Sequence, residues 1–121
     1  MRPKMKLYLD RPGADGMFGD GVCRLLAAID EEGSIREAAR SLGRGYRKAW
    51  GDIGRAERVL GRSLVHKTRG GPEGGATELT PFGRELVEGW ERFRRDTAAG
   101  MEGAFDRHLR GIMGKGDGDE R

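Results

Sequence analysis

The chain has 121 residues, which predicts one domain with a single modest core. Its 23 basic and 20 acidic residues give a net charge of +3, and its one cysteine excludes an internal disulfide. No apolar run approaches the length of a membrane span and no secretory signal opens the chain. We therefore expect a cytoplasmic protein that does not contact membranes.

The N-terminal region predicts a short strand or hairpin followed by a helix. Residues 4–9 alternate apolar and polar side chains, as a half-buried strand does, and Met17-Phe18 follows a Pro-Gly turn as a second strand. The first helix is expected to begin near Gly19 or Asp20, with Asp20 as a suitable N-cap, and to end at Gly33. Cys23 falls among apolar neighbours and is expected to be a small core residue.

Two further helices joined by a glycine turn are predicted next. Ser34 and Glu37 have the spacing of a capping box at the start of the first of these helices. Ala38 and Ala39 are small enough to let the following helix cross closely. Gly43 suits the turn because glycine adopts a positive φ at little cost.

The second helix of this pair is predicted from Tyr46 to Leu60. Its inner face includes Tyr46 and Trp50, and its opposite face is basic. Gly51 and Gly54 lie inside the helix, where each costs about 1 kcal/mol relative to alanine. Either close packing or close approach to a phosphate backbone would explain them.

A β-wing and a long helix complete the pattern. Residues 64–69 and 76–79 predict two strands around a glycine-rich tip, and Thr80 is the expected N-cap of the last helix. Apolar residues then recur at helical spacing from Phe82 to Ile112. A helix over this span would be about 45 Å long, and division into two helices at the glycines of positions 100 and 103 is the alternative.

A partner for this apolar stripe and a tail beyond it are also predicted. A small domain cannot cover an apolar stripe of that length, so we expect a second copy of the chain to cover the remainder. Residues 114–121 are polar and rich in glycine, and they are predicted to form a disordered tail.

Positive charge is concentrated in the helix pair and the wing. Residues 36–69 contain ten basic and three acidic residues, a local net charge of +7. This pattern favours a polyanion partner, although a solvated charged surface produces it too. The order of helix, turn, basic helix and wing predicts binding to double-stranded DNA. The expected DNA-binding residues are Ser34, Arg36, Arg44, Gly45, Tyr46, Arg47, Lys48, Arg55, Lys67, Arg69, Gly70 and Gly71.

The contacts that these residues would make stay open at this point. Each cation could bind a phosphate or a base edge, and phosphate contact is at least as common. Tyr46 could face outward or belong partly to the core. The wing could lie along a minor groove or be an ordinary hairpin loop.

Motifs for other chemistry are lacking. Cys23, His66 and His108 do not have metal-ligand spacing, and residues 70–75 lack the Gly-Lys-Ser/Thr end of a phosphate-binding loop. The sequence suggests no Ser/His/Asp or Cys/His arrangement of a nucleophile with its base. We therefore expect no enzyme activity, no metal, no cofactor and no small-molecule ligand.

Five segments resemble the ModE family of molybdate-responsive transcriptional regulators, whose wider relatives are the LysR-type winged helices. The segments are Gly33-Ser34-Ile35-Arg36-Glu37-Ala38-Ala39, Tyr46-Arg47-Lys48-Ala49-Trp50, Lys67-Thr68-Arg69-Gly70-Gly71, Gly74-Gly75-Ala76 and Leu79-Thr80-Pro81-Phe82-Gly83. The resemblance covers about residues 4–110. It implies a winged helix, homodimerisation through the first and last helices, and operator binding by the helix beginning near Tyr46.

The resemblance does not extend to the oxyanion-binding domains that follow the winged helix in ModE proteins. The chain is expected to resemble the stand-alone members that keep only the DNA-binding part, so molybdate sensing is not implied.

Together these patterns predict an α+β fold over residues 1–113. It is a winged helix-turn-helix with a short N-terminal strand or hairpin and a long C-terminal helix used for dimerisation. The predicted function is a homodimeric, sequence-specific transcriptional regulator acting on an inverted-repeat operator. A winged-helix protein-interaction module without DNA binding is the alternative.

Overall fold

Two short hairpins and five helices make up the part of the chain that the structure, a computed structural model, describes. This part comprises residues 1–13, 17–68 and 76–119, without the side chains of residue 17 and residues 115–119. The elements in chain order are β1 Tyr8–Asp10, β2 Met17–Gly19, α1 Asp20–Glu32, α2 Ile35–Ser41, α3 Tyr46–Leu60, β3 Val65–Lys67, β4 Thr77–Leu79, α4 Pro81–His108 and α5 Arg110–Asp119.

The N-terminal hairpin is shorter than the sequence predicts. β1 pairs antiparallel with β2 and places Leu9 opposite Phe18, but β1 begins at Tyr8 and not at residue 4. The residues before it run beside α4, where Arg94 Nη2 donates to the Met5 carbonyl oxygen at 3.3 Å. Leu9, which belongs to the apolar positions of the predicted half-buried strand, is exposed.

The start of α1 differs from the prediction in its capping residue. Gly19 is the N-cap, and no side chain caps the helix. The Asp20 carboxylate instead accepts hydrogen bonds from the Leu7 N–H at 2.9 Å and from the Trp90 indole N–H at 2.8 Å. The prediction of Asp20 as the cap is wrong because its carboxylate is engaged by the N-terminal segment and by α4.

The helix pair is capped largely as its sequence predicts. Gly33 has a φ of 83° and ends α1, and Gly43, with a φ of 66°, makes the turn after α2. Ser34 Oγ accepts a hydrogen bond from the Glu37 N–H at 3.1 Å. This hydrogen bond confirms the Ser34 half of the predicted capping box. The Glu37 carboxylate lies 3.9 Å from Arg40 Nη2.

The core lies where the first three helices meet the second hairpin, β2 and α4. Ala38 and Ala39 of α2 and Ala49 of α3 are buried, as close crossing of the two helices requires. The sequence pattern did not single out Val59, which is buried on the inner face of α3. The larger fully buried side chains are those of Phe18, Leu25, Leu26, Ile29, Ile53 and Leu64.

The second hairpin leads directly into the last long helix. β3 and β4 are antiparallel, with Val65 opposite Leu79. Thr80 Oγ1 accepts from the Gly83 N–H at 2.9 Å and donates to the Ser63 carbonyl oxygen at 2.8 Å. The predicted cap at Thr80 is confirmed, and so is the α+β winged helix-turn-helix fold.

The long helix is continuous through both of its C-terminal glycines. α4 has 28 residues, about 42 Å at 1.5 Å per residue, and its C-cap is Leu109. Division at Gly100 and Gly103 is therefore wrong; Phe105, which is buried, anchors the helix beyond them. α5 extends to Asp119, so residues 114–119, predicted as disordered tail, are helical here. The domain boundary at residue 113 stays a prediction.

Candidate nucleic-acid interface

The exposed face of α3 is cationic and carries two glycines along its middle. The helix buries Ala49, Ile53, Ala56 and Val59, which fixes the direction of the opposite face. Arg47, Arg55 and Arg58 of the opposite face are exposed. The packing of α3 therefore presents three guanidinium groups to solvent beside glycines that have no side chain. At 100° per residue, the opposite face consists of Arg47, Gly51, Gly54, Arg55 and Arg58.

Within the described residues, the two glycines are not explained by close packing. A Cβ on Gly51 would lie 3.6 Å from Arg55 Nη1, and one on Gly54 would lie 3.7 Å from Arg58 Nη1. Both distances are ordinary contacts with the ends of flexible side chains. Of the two explanations that the sequence left open, close packing is not supported by these distances, and close approach to a phosphate backbone stays a prediction.

Three predicted DNA-binding cations converge on the carboxylate of Asp52. Arg44 Nη1 lies 3.3 Å from Asp52 Oδ2, and Lys48 Nζ lies 3.3 Å from Asp52 Oδ1. Arg55 Nη2 also donates to Asp52 Oδ1. Lys48 and Arg55 remain accessible to solvent, whereas Arg44 is largely enclosed. Arg44 is thus the least accessible of the three cations, and its contact with DNA stays a prediction.

The N-terminal ends of α2 and α3 lie side by side. The Arg36 guanidinium carbon is 4.3 Å from the centre of the Tyr46 ring, a cation–π contact. Tyr46 is 39% exposed, so its ring is partly covered and one side of it remains accessible to solvent. It is the first residue of α3, and Arg36 covers its ring from α2. Ser34 and Gly45, the N-caps of these two helices, complete this surface.

The base of the wing is connected to α3 through Trp50. The Lys67 ammonium lies 5.0 Å from the centre of the Trp50 ring, which packs half-buried against the core. On the neighbouring position of β3, His66 Nε2 lies 3.5 Å from Oε1 of Glu78, its partner on β4. Lys67 is thereby held at the edge of the α3 surface. Arg69, Gly70 and Gly71, also predicted to bind DNA, lie outside the described residues.

The structure brings most of the predicted DNA-binding residues to one surface, and it adds Arg58 and Asp52 to that surface. The sequence pattern did not single out Arg58, although its spacing of eleven residues from Arg47 places both on one helix face. Asp52 was expected only as an opposing charge, because a local pattern does not reveal that three cations share its carboxylate. The predicted residues that project from α3 and the adjoining strand are Arg47, Lys48, Arg55 and Lys67.

Other chemistry is not suggested by the described residues. Burial and the nearby charge of Asp20 raise the pKa of the Cys23 thiol to about 12, so this thiol stays protonated and unreactive at neutral pH. In the described ranges no three His, Cys, Asp or Glu side chains are grouped as a metal site. None of the helices in this part of the chain is long and apolar enough to cross a membrane.

Comparison with known proteins agrees with this geometry. Residues 22–84, from α1 to the start of α4, match the model of the bacterial regulatory helix-turn-helix proteins of the lysR family. The chain belongs to this family. Its members are DNA-binding transcription regulators, which is not a class of enzymes.

Relatives of this LysR-type chain include molybdenum-related proteins. It is 38% identical to the molybdenum-pterin-binding protein MopA of Rhodobacter capsulatus over 84 residues, which are 69% of this chain and 31% of MopA. It is 42% identical to the molybdenum transport protein ModE of Azotobacter vinelandii over 70 residues, or 58% of this chain and 26% of that protein.

A third relative is named as a DNA-binding protein. The DNA-binding transcriptional dual regulator ModE of Escherichia coli is 34% identical over 64 residues, which cover 53% of this chain and 24% of that regulator. The resemblance to ModE proteins is confirmed. The chain spans about a third or less of the length of the relatives that it matches.

Proposed function

We propose that this chain binds double-stranded DNA as a homodimer and recognises an inverted-repeat operator through α3. The observation that carries the proposal is the solvent face of α3, where exposed arginines surround two glycines that no packing among the described residues requires. A major groove admits an α-helix, and the absence of side chains along the strip allows the helix axis to approach the DNA closely. Ion pairing and the α2 crossing hold this face in place.

The residues of this surface have different expected roles. Arg47 lies near the N-terminal end of α3, forms no ion pair among the described residues, and is the best candidate for a bidentate contact to guanine. The N-terminal end of α2 at Ser34 and Arg36 adds a phosphate contact. Three further cations are placed to bind phosphates, which fix the orientation of the protein without reading sequence; they are Lys48, Arg55 and Lys67.

Two copies of the chain would account for the symmetry of the operator. Tyr8, Leu9 and Phe93 are exposed at the N-terminal hairpin and α4. A twofold axis through this region would present two α3 helices to the same side of a duplex. Each helix would then read one half of an inverted repeat.

Selection of bound duplexes from a random DNA pool tests this function. The expected result is a motif with twofold symmetry whose half-sites are separated by about one helical turn, ~34 Å, or a multiple of it. Arg47→Ala should reduce discrimination between the selected and a scrambled duplex by about 1–3 kcal/mol. Arg92→Ala is the matched control, because Arg92 is an exposed arginine of α4 that lies off its apolar stripe.

The protein-interaction alternative has its own outcome in a salt titration. A protein that binds phosphates loses DNA affinity steeply as salt rises, because its binding releases counterions from the DNA. If the wild-type chain binds no duplex even at low salt, the DNA-binding proposal fails and the interaction module is favoured.

A further inference from the structure

One carboxylate lies among the cations of the proposed DNA-binding surface. Asp52 accepts hydrogen bonds from Arg44, Lys48 and Arg55. Arg44 lies in the glycine turn, and the other two lie about one turn before and one turn after Asp52 on α3. Its own side chain is only 12% exposed. The cluster keeps a net charge of +2, and the carboxylate lies at its centre.

The three cations differ in how easily they could leave this carboxylate. The Arg44 side chain is 16% exposed, and its Nη1 also lies 3.5 Å from the Gly21 carbonyl oxygen at the start of α1. Lys48 and Arg55 are 66% and 51% exposed. Arg44 therefore serves the packing of α3 on α1, whereas Lys48 and Arg55 can exchange Asp52 for another anion by side-chain rotation.

We infer that Asp52 competes with DNA phosphates for Lys48 and Arg55, and so limits binding to DNA of arbitrary sequence. This inference rests on the proposed function. Non-specific binding comes almost entirely from cation–phosphate contacts. A phosphate that binds Lys48 or Arg55 shares the cation with the Asp52 carboxylate or displaces it, so the attraction to DNA is weakened. Arg47 has no such internal competitor among the described residues, so its contact with a base is not weakened in this way.

The competition favours the operator over other DNA. On a scrambled duplex the protein takes whichever position suits its free cations, so every released cation adds to affinity. On the operator the base contacts fix the register, and only phosphates that happen to lie in reach can use a released cation. Asp52 therefore lowers non-specific affinity more than operator affinity, which is one way to increase specificity.

Binding of Asp52→Asn to a scrambled duplex across a range of salt concentrations tests the inference. The expected result is about tenfold tighter binding at low salt. The slope of log K against log salt should steepen by about 0.9 for each additional phosphate that the variant neutralises. Asp106→Asn is the charge-matched control, because Asp106 is exposed and pairs with Arg110 at the far end of α4. No change in Asp52→Asn, or an equally large increase in affinity for Asp106→Asn, would overturn the role of Asp52.

Two further measurements keep the test independent of folding defects. In a Lys48→Gln, Arg55→Gln background, which removes both released cations, adding Asp52→Asn should change affinity by less than twofold. If Asp52→Asn does not fold, Lys48→Gln provides the test. It should reduce the slope of log K against log salt by less than Arg58→Gln does, because Lys48 pairs with Asp52 whereas Arg58 has no acidic partner in the described residues. An equal or larger reduction for Lys48→Gln contradicts the competition.

The proposed function and this inference fail in different ways. If wild-type protein binds no duplex at low salt, DNA binding itself is refuted. If wild-type protein binds DNA and selects a symmetric motif, but Asp52→Asn binds scrambled duplex no better, only the role of Asp52 is refuted.

Discussion

Asp20 connects three distant parts of the chain through one carboxylate. It accepts from the Leu7 N–H of the N-terminal segment and from the Trp90 indole of α4, and it lies 3.7 Å from Arg94 Nε. Burial by itself would raise the pKa of Asp20. The two hydrogen bonds and the nearby charges of Arg94 and Arg24 outweigh burial and hold this pKa below its ordinary value.

Replacing Asp20 with asparagine should destabilise the fold in a pH-dependent way. A carboxyl group with a lowered pKa stabilises the folded state above its unfolded pKa, near 3.8, and loses that contribution as pH falls through the folded pKa. At pH 7 the cost of Asp20→Asn should be about 1–3 kcal/mol, and it should shrink below about pH 4. Urea unfolding at pH 7 and pH 3 measures both values.

Asp30→Asn provides the control for this measurement. Asp30 pairs with Arg84 at 2.9 Å, but both side chains are about half exposed, and such surface pairs contribute little. A destabilisation of Asp20→Asn that stays constant between the two pH values would contradict the lowered pKa.

The misassigned cap at Asp20 marks a limit of prediction from local pattern. The spacing of Asp20 before an apolar helix fits an N-cap, but its partners, Leu7 and Trp90, lie 13 and 70 residues away. Gly19 takes the cap position instead, with the Leu7 carbonyl occupying the space that a side chain would need. Tertiary hydrogen bonds of this kind leave no periodic signal in the sequence.

At the level of elements, helix boundaries set by local interactions are predictable. Ser34 and Thr80 bind the backbone N–H three residues ahead, and Gly33 adopts the left-handed conformation that ends α1. These interactions depend on neighbours in sequence, which the pattern contains. The continuity of α4 through its glycines at positions 100 and 103 is not predictable in this way, because buried Phe105 holds the helix from beyond them.

The two kinds of glycine should respond oppositely to alanine. Gly100 lies in the helix with open space around its Cα, so Gly100→Ala should stabilise the chain by about 0.5–1 kcal/mol. Gly33 has a φ of 83°, which is strained for any side chain, so Gly33→Ala should destabilise by about 1–2 kcal/mol. Thermal unfolding of the two variants beside wild type measures this. Destabilisation by both substitutions would show that Gly100 has a packing role.

For the whole molecule, the apolar stripe of α4 is only partly covered within one chain. Residues 2–5 run beside α4 and, together with Arg94 and Met101, line an open cavity of about 650 Å³. The sequence pattern did not predict this position, because residues 4 and 5 were expected to be in a strand. An apolar groove of about 270 Å³ remains between the hairpin and α4, lined by Leu9, Leu86 and Phe93 among others. The prediction that a second copy covers the stripe therefore applies to this groove and to Leu109 and Ile112, which are exposed at the C-terminal end of the stripe.

Introducing a charge into this groove tests the dimer at its centre. Phe93 is 43% exposed, and its ring meets Trp90 edge-on at 5.4 Å, so one side of the ring is free for a partner. Wild-type protein should sediment at twice the 13.3 kDa chain mass, whereas Phe93→Asp should sediment as a monomer because a buried unpaired carboxylate is costly. The monomer should also bind the full inverted repeat no more tightly than a half-site, since the linked second contact is lost. Arg92→Asp is the control and should remain dimeric, because Arg92 is exposed but lies off the apolar stripe. A monomeric wild type would refute the dimer, and a dimeric Phe93→Asp would show that the interface lies elsewhere.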